Sequence, residues 1–221
     1  MTMTKTNAIT EFEQHKHYKF GNTAEVLSSV YDKEINLSVW NRSFSSEELL
    51  TLRNVLSVEN NISVRTITSV DNVIDLIKEQ GKGLSDLPWF CDDITMLVDM
   101  YCYLFDVKEV GIRLQRLSHA MCPKFHVDKL PCRLVTTYQG PSTQWLNNAD
   151  VTRAYQDVKG QPRQLLSYPE NANLNQLSVG DVALLKGDGW YGNANGGIVH
   201  RSPSVEGTHP RLFLSLDAVG Q

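Results

Sequence analysis

A chain of 221 residues, 41% hydrophobic and 21% charged, has the composition of an ordinary globular protein and the length to bury a sizeable core. Its formal net charge of −4 disfavours a nucleic-acid partner, which calls for a basic surplus. The opening "MTMTKTNAITEFEQHKHYKF" is polar and mixed rather than charged-then-apolar, and no run of about eighteen apolar residues follows, so the expectation is a cytoplasmic chain with no membrane span.

Residues 1–30 show weak periodicity and read as an irregular arm. His15 and His17 within it form either a loose metal pair or part of a frayed end. "EINLSVW" (34–40) alternates Ile35, Leu37 and Val39 with polar neighbours, the pattern of a strand. Ser45 and Glu48 form a capping box ahead of the stripe Leu49, Leu52, Val55 and Leu56, which predicts a helix. "NISVRTITSV" (61–70) is β-branched and strand-like, and "DNVIDLIKEQG" (71–81) reads as a short helix with Asp71 as N-cap and Gly81 as its stop. A longer helix is expected to start near Ser85, to carry Pro88 in its first turn and to run to about Phe105.

From Val110 onward the character changes to short apolar runs between turn residues: "VGIRLQRL", "CRLVTTY", "RQLLSY", "VALLKG", "GIVH" and "RLFLSLDAV". Closely spaced short strands point to a sandwich, jelly roll or barrel. The predicted class is α+β in one domain over 1–221, with a mostly helical part (1–109) buttressing a β core (110–221). The four cysteines, Cys91, Cys102, Cys122 and Cys132, include no C-x-x-C pair, which disfavours a thiolate zinc site. With no export signal they are expected to be reduced, with no disulfide between Cys122 and Cys132.

The run "CPKFHVDKLPCRLVTTYQG" (122–140) places His126 and Asp128 two apart. In a strand, alternate residues share a face, so both can converge on one ion while Val127 packs away. The triplet alone is a weak signal, since two ligands leave an ion under-coordinated. His200, at the end of the short apolar run "GIVH", is the candidate third ligand, and a 2-His-1-carboxylate face with open positions suits non-haem Fe(II). The chain then turns through Pro203, Gly207 and Pro210 and re-enters a strand at Arg211, which shares a face with Phe213 and Ser215. An arginine buried there needs a carboxylate, and a diacid ligand would supply one bidentately.

H-x-D, a distal His and an Arg on the last strand, in that order, resemble the Fe(II)/2-oxoglutarate-dependent dioxygenase superfamily, whose fold is a double-stranded β-helix, or jelly roll. "VGDVALLKG" (179–187) is similar to the penultimate strands of that fold. The chain as a whole resembles a bacterial family known as a domain of unknown function. The resemblance implies Fe(II) on His126, Asp128 and His200, and 2-oxoglutarate as a small-molecule cosubstrate with its far carboxylate on Arg211. It also implies a hydrogen bond from Tyr138 to that carboxylate, with Arg133 as a rival anchor, and it leaves the prime substrate open. The competing reading is a non-catalytic metal-binding jelly roll in which Zn(II) fills the same triad, since affinity alone favours zinc. Arg211 separates the two, because a zinc carrier has no use for it.

The bland readings stand beside these. His126 with Asp128 has the alternative of a surface strand pair or an Asp-oriented core histidine, His200 of a turn histidine, Arg211 of half a surface salt bridge and Tyr138 of a core aromatic. Cys122 and Cys132 read as small buried hydrophobes, and His119 and His209 as solvent-facing neighbours of the two motifs. "GDGWYGNANGG" (187–197) lacks a phosphate-loop pattern and reads as a mobile loop at the mouth of the β core. In it, Trp190 or Tyr191 contacts substrate, or the segment is a plain hairpin connection. "GPSTQW" (140–145) shapes the opposite rim, with Trp145 in the pocket or in the core.

Overall fold

Three α-helices and twelve strands organise the chain in a computed structural model that describes residues 17–158, 161–205 and 210–219. In order they are β1 (Tyr18–Gly21), β2 (Leu37–Trp40), α1 (Ser46–Val58), β3 (Ser63–Thr68), α2 (Val73–Gln80), α3 (Pro88–Phe105), β4 (Val110–Leu117), β5 (Cys132–Gln139), β6 (Gln144–Leu146), β7 (Thr152–Val158), β8 (Gln161–Ser167), β9 (Leu174–Gln176), β10 (Val182–Lys186), β11 (Val199–Arg201) and β12 (Arg211–Ala218). A seven-stranded sheet runs β1-β2-β10-β5-β12-β4-β3, antiparallel except where β1 meets β2. A smaller sheet runs β11-β6-β9, and β7 and β8 form a separate hairpin. No helix among the described residues is long and apolar enough to cross a membrane.

Period-two alternation gives the large sheet two different faces. Ile112, Leu114, Leu134, Leu184, Leu214 and Leu216 point to one side, where Leu52 and Leu56 of α1, Val73 and Ile77 of α2, and Phe90, Ile94, Leu97, Val98 and Tyr101 of α3 cover them. Each such buried side chain is worth about 1.5–3 kcal/mol of burial free energy, which is what fixes the helices to the sheet. The other face carries Leu37, Val39, Val135, Ala183, Leu185 and Phe213, packed against Trp145, Leu177 and Ile198 from the small sheet and its flanks. The order of layers is therefore helices, large sheet, small sheet.

The N-terminal signals behave as their chemistry requires. Ser45 Oγ accepts from Glu48 N while Glu48 Oε2 accepts from Ser45 N, so the capping box opens α1. Pro88 is the first residue of α3, not an inner one. Ser85 falls instead in a short 3-10 turn, Leu84–Asp86. Asp71 is not the cap of α2: the helix starts one residue later behind Asn72, whose side chain donates to Ser69 Oγ.

Two larger expectations need correcting. The arm is not irregular where it is described: Tyr18–Gly21 is an edge strand and Ala24–Tyr31 a 3-10 helix that buries Leu27 and Val30. Residues 1–16, His15 included, lie outside the described residues, whereas His17 hydrogen-bonds the Glu34 carbonyl through Nδ1. Nor does the sheet respect a boundary at residue 110, since β1, β2 and β3 supply both its edges.

Candidate functional site

His126 and His200 meet through the backbone. Each donates its N–H to the other's carbonyl at 3.0 Å, an isolated antiparallel bridge that extends the small sheet beyond β11. Directly opposite residues of such a pair project to the same side. Their rings accordingly sit 4.5 Å apart between centroids, and Val127 packs the other way against Leu146 and Val199. The H-x-D segment is thus a single bridge followed by coil, not the strand its alternation suggested.

Asp128 closes the group. Its Oδ1 lies 3.9 Å from His126 Nε2 and its Oδ2 lies 3.6 Å from His200 Nε2. One ligand atom from each of the three residues falls within 4.8 Å of the others. Both imidazoles are already oriented: His126 Nδ1 is 2.9 Å from the Lys124 carbonyl and His200 Nδ1 is 3.1 Å from the Ile198 carbonyl. Donation there puts the proton on Nδ1 and turns the bare Nε2 toward Asp128. Burial pulls the pKa of His200 down to about 4, with Asp128 opposing the shift, so it is neutral at pH 7, as a metal ligand must be.

The loop 187–197 holds this segment from behind. Asp188 N donates to the Asp128 carbonyl and Gly187 N to the Pro131 carbonyl, both at 2.9 Å. A Cβ at Gly187 would collide with the carbonyls of Leu130 and Asp128, and one at Gly197 with Val127. The glycines are there for close backbone approach, and the loop clamps the H-x-D segment. Trp190 follows from this: its indole packs on Tyr31, Phe105 and Lys186. Tyr191 is fully exposed, and Trp145 is buried between the sheets against Tyr18. None of the three lines the cavity beside the triad.

That cavity is small and open to solvent, and it is lined by His126, His200, Arg133, Arg211 and Ser202 among others. Arg211 is 1% exposed and has no carboxylate within salt-bridge distance among the described residues. Its Nη1 donates to Ser202 Oγ at 2.8 Å, and its Nη2 to Thr143 Oγ1 at 2.9 Å and Thr137 Oγ1 at 3.2 Å. Nε is buried with no partner among the described residues. Burial lowers its pKa to about 10, so it remains charged at pH 7. A buried, charged fork satisfied only by hydroxyls leaves a large electrostatic deficit, which an anion in the cavity would fill.

Arg133 is not free to act as a second anchor. Its Nη1 donates to both oxygens of Asp128 at 2.9 and 3.0 Å, while Nε and Nη2 reach Asp217 Oδ1 and Oδ2 at 2.6 and 3.0 Å. It locks the carboxylate of Asp128 in place, and Asp217 locks Arg133. Outer partners of this kind are worth about 10- to 100-fold in metal affinity, so Arg133→Gln is expected to weaken metal binding by that range in an anaerobic Fe(II) titration. Unchanged affinity would show that Asp128 needs no such support.

Tyr138 lies on the opposite side of the sheet. It is fully buried among Phe44, Trp89 and Phe90, and its hydroxyl donates to Asp93 Oδ2 at 2.7 Å. Asp93 is also paired with Arg42. Tyr138→Phe should therefore cost about 1.5–3 kcal/mol of stability, the worth of a hydrogen bond to a charged group. Denaturant unfolding of the variant beside wild type measures the loss.

All four cysteines are free. Cys122 is exposed at the cavity mouth, while burial raises the pKa of Cys91, Cys102 and Cys132. A thiol reagent on the native protein is expected to modify Cys122 first, and denatured, non-reduced protein should show four thiols. His119 is exposed beside Ser118, and His209 lies outside the described residues. Residues that motif reading missed are Thr137, Thr143, Ser202 and Asp217. Only Asp217 had a signal, as the next residue in the alternation Arg211, Phe213, Ser215.

Several solved structures resemble this one. The rice dioxygenase for auxin oxidation aligns at 12% identity and TM-score 0.38 over 79% of this chain and 64% of its own, so this chain spans just under two thirds of it. EvdO2 from Micromonospora carbonacea var. aurantiaca aligns at 9% identity and TM-score 0.46, covering 89% and 91% of the two chains. An oxidoreductase of the 2OG-Fe(II) oxygenase family from Burkholderia pseudomallei aligns at 9% identity and TM-score 0.41, covering 90% and 94%. No curated protein matches the sequence. The family model described as "Protein of unknown function (DUF1826)" matches residues 21–217, and the chain belongs to that family.

Proposed function

We propose that the protein is a non-haem Fe(II)- and 2-oxoglutarate-dependent oxygenase, with the two facing sheets forming one double-stranded β-helix domain. The observation that carries this reading is Arg211, a buried guanidinium without a carboxylate in the same cavity as His126 and His200. A metal carrier has no need of such a group, whereas a dicarboxylate that chelates the metal at one end needs a cation for the other.

His126, Asp128 and His200 would hold Fe(II) through two neutral nitrogens and one carboxylate, a donor set that suits this ion and leaves coordination positions open. When bound, the metal and 2-oxoglutarate supply the oxidising chemistry, with O2 consumed and succinate and CO2 formed. The chain's own share is positioning. The carbonyls of Lys124 and Ile198 fix both histidine tautomers, Arg133 orients Asp128, and Ser202, Thr137 and Thr143 aim the fork of Arg211.

The test is succinate formation from 2-oxoglutarate in air, with and without Fe(II). Slow, Fe(II)-dependent succinate formation in the absence of a prime substrate is the expected result. Tight metal binding with neither succinate formation nor 2-oxoglutarate uptake would identify a zinc-type metal protein instead.

A further inference from the structure

The large sheet is wider than the small one. The small sheet and its flanks cover β2, β10, β5 and one end of β12 and β4, through Leu37, Val39, Ala183, Val135, Phe213 and Leu117. Beyond that cover, the same face of β4 and β3 lies open, and a trough runs along it lined by Arg65, Ile67, Gly111, Arg113 and Asp217. Arg113 lines both this trough and the cavity of the triad, and Asp217 in the trough is paired with Arg133 of the cavity. The two spaces therefore share Arg113 as a common wall, and the Asp217–Arg133 pair links the trough to the residue that holds Asp128.

Two cations face each other in it. Arg65 on β3 and Arg113 on β4 are direct cross-strand partners, and Arg113 is in turn opposite Ser215 of β12. Like charges directly opposite are destabilising, and a carboxylate between them would offset the repulsion. None does so here: Arg113 has only Met121 Sδ, at 3.6 Å, and Arg65 has no partner among the described residues. The nearby acid, Asp217, is already engaged by the guanidinium of Arg133. Ile67 stands exposed on the same face beside them, and Gly111 leaves the floor open.

We infer that Arg65 and Arg113 form the anion subsite for the prime substrate, a small molecule that carries a carboxylate or phosphate next to an apolar portion. The guanidiniums bind the oxyanion, Ile67 takes the apolar part, and the rest of the molecule reaches along the trough toward the triad. This rests on the oxygenase reading, which gives Arg211 to 2-oxoglutarate and leaves the second, outer pair of cations for something else.

The test uses benzoate and phenyl phosphate, each beside a neutral counterpart, benzamide and phenol. They are titrated calorimetrically into anaerobic protein loaded with Fe(II) and saturating 2-oxoglutarate, so that Arg211 is already occupied. At least one anion should bind wild type about tenfold or more tighter than its neutral partner, the scale of one charge-assisted hydrogen bond. That preference should vanish in the Arg65→Gln, Arg113→Gln double variant. Preference for phenyl phosphate marks a phosphate-bearing substrate, and preference for benzoate a carboxylate-bearing one. Arg65 is exposed, and its single replacement relieves the repulsion, so that variant should match or exceed wild type in thermal midpoint and carries the test if the double variant fails to fold. If 2-oxoglutarate binds but the anions bind no better than the neutral probes, or equally well in the folded variants, this inference is overturned alone. Failure of wild type to take up 2-oxoglutarate in the preceding titration removes the oxygenase reading, and the substrate role with it.

Discussion

Arg211→Ala is expected to weaken 2-oxoglutarate binding by about ten- to a hundred-fold and to change metal affinity far less. The range follows from the worth of a charge-assisted hydrogen bond in a partly dry site, about 1.5–3 kcal/mol. Arg211 touches no ligand atom of the triad, since its hydrogen bonds go to Ser202, Thr137 and Thr143. The metal therefore has little reason to notice its loss. Arg211→Lys keeps a charge but not the planar fork, so it should recover part of the affinity and not all of it. The measurement is a 2-oxoglutarate titration at saturating Fe(II), beside a metal titration without 2-oxoglutarate. Equal losses in both would mean that Arg211 supports the fold of the site and not the cosubstrate.

His200→Ala should show the reverse order. Arg133, one step outside the ligands, already stands for about 10- to 100-fold in metal affinity, so removing a ligand itself should cost more than about 100-fold. The backbone bridge between residues 126 and 200 survives, because it is made by main-chain atoms. The loss is therefore one of coordination, not of architecture. Binding of 2-oxoglutarate should then fail at any metal concentration that leaves the variant unloaded, and should return in part as the metal is raised. A variant that keeps wild-type metal affinity would remove His200 from the ligand set.

Local alternation and capping were legible in some elements and misleading in others: the alternation at His126 and Asp128 gave a single bridge and not a strand, and Asp71 does not cap α2. Ser45 with Glu48 and Pro88 set two helix starts, and the even positions of β4, β5 and β12 faced the helices as period two requires. The alternation Arg211, Phe213, Ser215 also placed those side chains on the cavity face. Tyr138 and Arg133 could not both have been anchors: an odd separation on one strand puts them on opposite faces, and that could have been seen in advance. What was not legible depends on tertiary contact. Nothing in "GDGWYGNANGG" announces that its glycines face the carbonyls of residues 128–130, and the hydroxyls around Arg211 come from three separate segments. The engagement of Arg133 by Asp217 likewise joins the first and last thirds of the β region, through a register that no local pattern encodes.

One measurement bears most directly on the claim that the triad and Arg211 together hold a metal chelated by 2-oxoglutarate. Wild-type protein is loaded with Fe(II) under strict anaerobiosis, 2-oxoglutarate is added, and the visible spectrum is recorded. The expected result is a new metal-to-ligand charge-transfer band that saturates with 2-oxoglutarate, is absent with Zn(II), needs His200, and in Arg211→Ala appears only at about ten- to a hundred-fold higher 2-oxoglutarate. A protein that binds Fe(II) through these residues yet shows no band and no 2-oxoglutarate uptake at any concentration would contradict it.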